Sequence, residues 1–117
     1  MPITLDTIDM PDSGLLEVNV HQIVDIKVYA DTARRRVTRY AGDYIGDLLY
    51  GENPTLVLQG DRAVWRVPIV IATGAMGRIG QVGVIDVDVG TGELNVIEEL
   101  TEEIKQNAHR LVTRSPL

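Results

Sequence analysis

At 117 residues the chain fits one domain, able to bury roughly two-thirds of its unfolded surface without a disulfide or metal staple. Cysteine is absent, which excludes a disulfide framework, a cysteine zinc site and a cysteine nucleophile, and fits a reducing cytoplasm. The net charge of −6 disfavours nucleic acid and anionic membrane as partners, and no apolar run reaches the roughly 18 residues of a spanning helix.

Residues 1–14, MPITLDTIDMPDSG, combine two prolines with Asp6, Asp9 and Asp12. They predict an extended arm that orders only by docking, without the basic and apolar regions of a signal peptide. Next, Leu16, Val18, Val20, Gln22, Val24, Ile26, Val28 and Ala30 share one alternation phase. Glu17, Asn19, His21, Asp25 and Lys27 occupy the other. Period two predicts a strand, long enough to need a bend near residues 21–23.

Asp31 or Thr32 can cap a helix. Val37, Tyr40, Ala41, Tyr44, Ile45, Leu48 and Leu49 then recur at three- and four-residue spacing, which predicts a core-facing helix from Thr32 to Tyr50. Gly51 and Pro54 supply its stop. Gly42 and Gly46, four apart, suggest close approach of another element.

Thr55–Gln59 is a short strand, and Gly60-Asp61 a turn. Trp65, Val67, Ile69 and Ile71 alternate with Arg66 and Pro68, so another strand follows, with Pro68 at an edge or bulge. Gly74, Gly77 and Gly80 mark a wide hairpin loop. The return strand runs Val82 to Val89, with Asp86 and Asp88 on its polar side. Gly90-Thr91-Gly92-Glu93 is a turn, and Leu94 to Ile97 completes a three-stranded antiparallel meander. Glu98 to Thr113 predicts a second helix, shorter than the first, at the sheet's edge or in an interface.

The chemical motifs are incomplete. Gly74-x-x-Gly77-x-x-Gly80 lacks the Lys-Ser/Thr ending of a phosphate loop. Asp86-x-Asp88-x-Gly90 begins like a calcium loop, but Gly90 and Ile97 stand where ligands belong. His21 and His109 have no ligand partners at metal spacing, and Ser13 and Ser115 lie in predicted tails. No catalytic, cofactor-binding or metal residue is predicted, and no cofactor. The charge pattern is more informative. Arg34, Arg35, Arg36 and Arg39 form one cluster, while Glu98, Glu99, Glu102 and Glu103 form another. Pairing of the two, within or between chains, is the expected interaction.

The order of helix, strands and a final Val84-Ile85-Asp86-Val87-Asp88-Val89-Gly90-Thr91-Gly92-Glu93-Leu94 resembles the PepSY domain, over roughly Ala33 to Val96. The resemblance implies a helix at Ala33 to Leu49 against a sheet, and a mostly extracytoplasmic, peptidase-inhibiting or binding role. The segment also looks like small uncharacterised bacterial proteins. The combined expectation is a single α+β domain over residues 1–117. Its sheet has four or five mainly antiparallel strands, packed by one long helix, plus a C-terminal helix. The expected role is a non-enzymatic, homodimeric, cytoplasmic binding or assembly module. The alternative is a regulator of a protein partner, of peptidase-inhibitor or antitoxin type.

Overall fold

The computed structural model describes residues 3–5, 13–17, 19 and 21–114. Its elements in chain order are β1 (Ile3–Leu5), α1 (Ala30–Tyr44), β2 (Leu49–Gly51), β3 (Thr55–Gln59), β4 (Arg62–Thr73), β5 (Gly77–Asp88), β6 (Leu94–Asn95) and α2 (Glu98–Arg114).

The sheet grows outward from β4. Trp65, Val67, Ile69 and Ile71 are all buried on one face, as their alternation predicts. Val64 and Val70 in the other phase are buried too, so the second face is only partly polar. β5 returns antiparallel along one edge of β4. The pairing steps from Ile69↔Gly83 to Val70↔Gln81, and from Ile71↔Gly80 to Ala72↔Arg78. Val82 and Ile79 are therefore extra residues on β5, two bulges that bend the ribbon.

The other edge of β4 carries two strands end to end. β3 pairs with Arg62–Arg66 and β2 with Ile69–Ile71, both antiparallel. The break falls opposite Pro68. Pro68 O accepts a 2.9 Å bond from Glu52 N, but proline has no N–H to return. β1 adds outside β3 as the one parallel pairing among the described residues, and β6 pairs with Asp86 and Val87 of β5. The fold is thus α+β with a mainly antiparallel sheet and two helices. Among the described residues it has six strands rather than the predicted four or five: the short β1 and β2 are added, and the predicted strand before α1 is not among them.

Both helices contribute to the core built on the Trp65 face. α1 buries Ala33, Val37 and Ala41, a stripe with four-residue spacing. It stops at Tyr44, not Tyr50. Leu49–Gly51 instead satisfy their backbone groups against β4, and Ala72 N donates to Leu48 O at 3.1 Å. Leu48 is consequently 47% exposed and Leu49 only 5%. Asp31 is not the cap; Tyr29 holds that position without a side-chain bond, and Asp31 lies in the first turn. Gly51 is no helix stop. It lies where the strand passes under α1: a Cβ there would sit 2.8 Å from Val67 Cγ1 and 3.2 Å from Arg34 O. Gly42 has no such neighbour.

α2 is longer than α1, 17 residues against 15, and is not confined to an edge. Ile104 is fully buried over Gly83, and Asn107 Nδ2 donates to Val82 O at 2.8 Å.

Among the described residues the predicted strand from Leu16 to Ala30 is not formed. No helix or strand occurs among the described residues from 13 to 29. The period survives only in part in exposure: Gln22, Val24 and Val28 are half-buried, but Leu16 and Ile26 of the same phase are exposed along with His21, Ile23, Asp25, Lys27 and Tyr29. A ladder needs a second strand, and among the described residues the backbone of this segment bonds to the sheet at its end while Val24 and Val28 pack on the core. Lys27 N and Val28 N both donate to Val89 O, at 2.9 and 3.0 Å. Of the predicted N-terminal arm, Ile3–Leu5 is sheet; residues 1–2 and 6–12, like the predicted tail 115–117, lie outside the described set.

Candidate interaction surface

Arg34, Arg35 and Arg39 are engaged within α1, whereas Arg36 reaches across to the turn before β6. Asp31 accepts from Arg34 at 2.9 Å and pairs with Arg35 at 3.2 Å. Asp31 is held below the ordinary carboxylate value, first by the Arg34 hydrogen bond and further by both guanidinium charges. Arg39 faces Asp43 at 3.9 Å, one helical turn on. Arg36 turns towards the sheet and donates from Nη1 to Gly92 O at 3.1 Å. Gly92 has φ +79°, a conformation that favours glycine, and a Cβ there would strike Arg36. On α2, Glu102 pairs with Lys105 at 3.7 Å, while Glu98 and Glu99 occupy the first turn. No described contact joins the two predicted clusters.

The charges that do meet across the fold are on the second face of the sheet. Arg66 holds Asp86 with two bonds of 2.9 and 3.0 Å. Arg78 holds Glu52 with two bonds of 2.8 and 3.0 Å, which keeps the Glu52 carboxyl below its usual range. Arg62 lies 3.6 Å from Asp88. Such bidentate pairs fix strand register as much as they add stability.

Asp88 also builds the turn after β5. Its Oδ1 accepts from Thr91 N at 2.9 Å and Gly90 N at 2.8 Å, which lowers its pKa. The acidic bracket of the VDVGTGE stretch is therefore a turn device plus a cross-strand pair, and the carboxylates that begin the calcium-like pattern are engaged within the chain.

Among the open surfaces are two concave regions and one segment near these groups. A cleft of about 680 Å³ lies at the strand break, lined by Asp31, Arg34, Tyr50, Glu52, Asn53 and Pro68. Its charged side chains are those already paired. A groove of about 590 Å³ runs between β6 and the start of α2, with Leu94, Val96 and Leu100 inside and Glu99 and Glu103 beside them. Ile97 at this groove is 64% exposed. The segment before α1 carries Leu15, Ile23 and Tyr29, exposed by 93%, 89% and 77%. Sequence reasoning placed Ile23 and Tyr29 within a strand, left Leu15 between the arm and that strand, and so missed all three as surface. Their signal is the apolar residue recurring in the nominally polar phase.

Among the described residues no helix is long and apolar enough to cross a membrane. No family model matches the chain, and neither curated proteins nor solved structures yield a match.

Proposed function

We propose that the protein is a non-enzymatic assembly module that acts as a homodimer. The observation that supports this reading is the apolar surface of the segment preceding α1. Leu15, Ile23 and Tyr29 are large side chains, each more than three-quarters exposed, within fifteen residues of chain. Large apolar side chains left exposed suit an interaction site, and a closed dimer is the commonest way to cover them. Light scattering from low to high micromolar protein tests it. Twice the monomer mass is expected, and a monomer mass throughout overturns the reading.

A second reading is that the module regulates a protein partner, as a peptidase inhibitor or antitoxin-like subunit. The groove between β6 and α2 supports it, because apolar residues flanked by Glu99 and Glu103 suit a segment that is both apolar and basic. The PepSY resemblance points to the same class. A stoichiometric partner that is retained by the wild type and lost from Glu99→Lys with Glu103→Lys is the expected result.

A further inference from the structure

We propose that the outer edge of β6 takes an extended segment of a protein partner as an added antiparallel strand, whose inward side chains alternate apolar and basic. This rests on the reading of the β6–α2 groove as a partner site and states how the partner sits there.

Three observations lead there. First, β6 ends the sheet: it pairs with β5 on one side, and no described strand lies on the other. Asp88 N donates to Glu93 O at 2.9 Å. The antiparallel alternation then turns the Asn95 backbone towards Asp86 and directs the N–H and C=O of Leu94 and Val96 outward. Further along β5, α2 guards the backbone, where Asn107 Nδ2 donates to Val82 O at 2.8 Å. No described side chain does the same for Leu94 or Val96. Outward backbone groups on an edge strand are a template for another strand.

Second, the space beside that edge is the groove of about 590 Å³. Leu94 lies opposite Val87, and Val87 opposite Trp65, so Leu94 and Val96 share the helix-covered face and Asn95 the other. A strand laid along β6 sends every second side chain to that same face, between β6 and Leu100 of α2. Leu94, Val96 and Leu100 are half-buried and Ile97 is exposed, so each has apolar area left to cover.

Third, charge names the occupant. Glu99 and Glu103 line the groove one helical turn apart, and neither meets a cationic side chain among the described residues. Like charges at that spacing repel. The positive end of α2 accounts for Glu99 in the first turn, but its effect fades before Glu103. A lysine or arginine of the added strand lays its aliphatic stem on the groove's apolar side chains and carries its charge to these carboxylates.

The test uses the full chain and a short capped peptide in which threonine alternates with valine and lysine in turn. Fluorescence anisotropy measures its binding, and amide chemical shifts locate it. Shifts at Leu94, Val96 and Glu103 are expected, with an affinity about tenfold above that of a scrambled peptide of the same composition. Glu99→Lys with Glu103→Lys changes two exposed residues, keeps the fold and weakens binding about tenfold. Antiparallel addition points the valine and lysine N–H groups at β6 and the threonine N–H groups at solvent. N-methylation of the valines and lysines therefore abolishes binding, and N-methylation of the threonines preserves it. Any other outcome of the two methylations, or no preference over the scrambled peptide, overturns strand addition. The same amide shifts on raising the protein concentration without peptide show a second copy in the groove and also overturn it. The groove reading fails separately, if a partner retained by the wild type is retained equally by the Glu99→Lys, Glu103→Lys variant.

Discussion

Trp65 Nε1 donates a 2.7 Å hydrogen bond to the carbonyl oxygen of Val28, 37 residues earlier in the chain. The indole is 2% exposed, so this bond ties the segment before α1 to the core face of the sheet. Trp65→Phe keeps most of the apolar ring and removes the donor. The Val28 carbonyl is then left short of a partner, at a cost of about 1–3 kcal/mol in urea unfolding followed by circular dichroism. Hydrogen exchange is expected to rise first at Lys27 and Val28, whose N–H bonds to Val89 depend on the same anchoring. An unchanged midpoint would show that the bond is replaced by solvent.

Leu48 and Leu49 separate the helix predicted from sequence from the one observed. Leu49 is 5% exposed and Leu48 47%. Leu49→Ala is expected to cost about 2–5 kcal/mol, and Leu48→Ala under about 1 kcal/mol. The reverse order in chemical denaturation would restore the longer helix register.

Gly83 tests the seat of α2. A Cβ at Gly83 would lie 2.7 Å from Ile104 Cγ1, inside contact distance. Gly83→Ala should destabilise by roughly 1–3 kcal/mol by overpacking. Ile104→Ala removes the clashing Cγ1, so the double variant should lose less than the sum of the two singles. Strict additivity would mean that α2 is held elsewhere.

Much of this fold is written locally. The alternation of Trp65, Val67, Ile69 and Ile71 and the glycines of the β4–β5 loop specify a hairpin, and the structure has it. What sequence could not supply was register. The hairpin closes with Thr73 opposite Gly77, and an unbroken ladder from there would set Arg66 opposite Val84. The two bulges move it to Asp86, and the bidentate pair follows. Bulges arise from tertiary packing: Gly80 and Gly83 are the β5 residues against which Leu111 and Ile104 of α2 lie. The end of α1 was hidden for a similar reason. Leu48 and Leu49 continue the helical spacing, but the edge of β4 offers Leu49–Gly51 a ladder, and local propensity yields to it. The segment from Leu16 to Ala30 shows the converse. Its pattern suits a strand, but whether another strand lies beside it depends on tertiary surroundings that no local pattern contains.

Asp88 gives the pH dependence. Its carboxylate accepts from Thr91 N and Gly90 N and lies near Arg62, and its pKa in the folded chain is below the ordinary 3.8. A depressed value means that the folded state favours the ionised form. The stabilisation is complete above that ordinary value, and it is lost as pH falls from there through the lower folded-state value. Glu52 and Asp31 are depressed as well, by Arg78 and Arg34, so the whole protein should lose stability in that acid window. Asp88→Asn isolates one contribution, because the amide oxygen still accepts from both backbone groups while the charge is gone. The wild type should be more stable than Asp88→Asn at neutral pH. The gap should narrow as pH drops below about 4, since protonation then makes the two side chains alike. Asp88→Ala removes the acceptor itself and should cost about 1–2 kcal/mol, in line with the loss of a helix cap. Most of that loss should persist at low pH, because a protonated carboxyl still accepts through its carbonyl oxygen. Thermal melts of the three proteins across the acid range decide it. A gap between wild type and Asp88→Asn that stayed constant with pH would show that the turn is held by geometry alone, with no contribution from the charge.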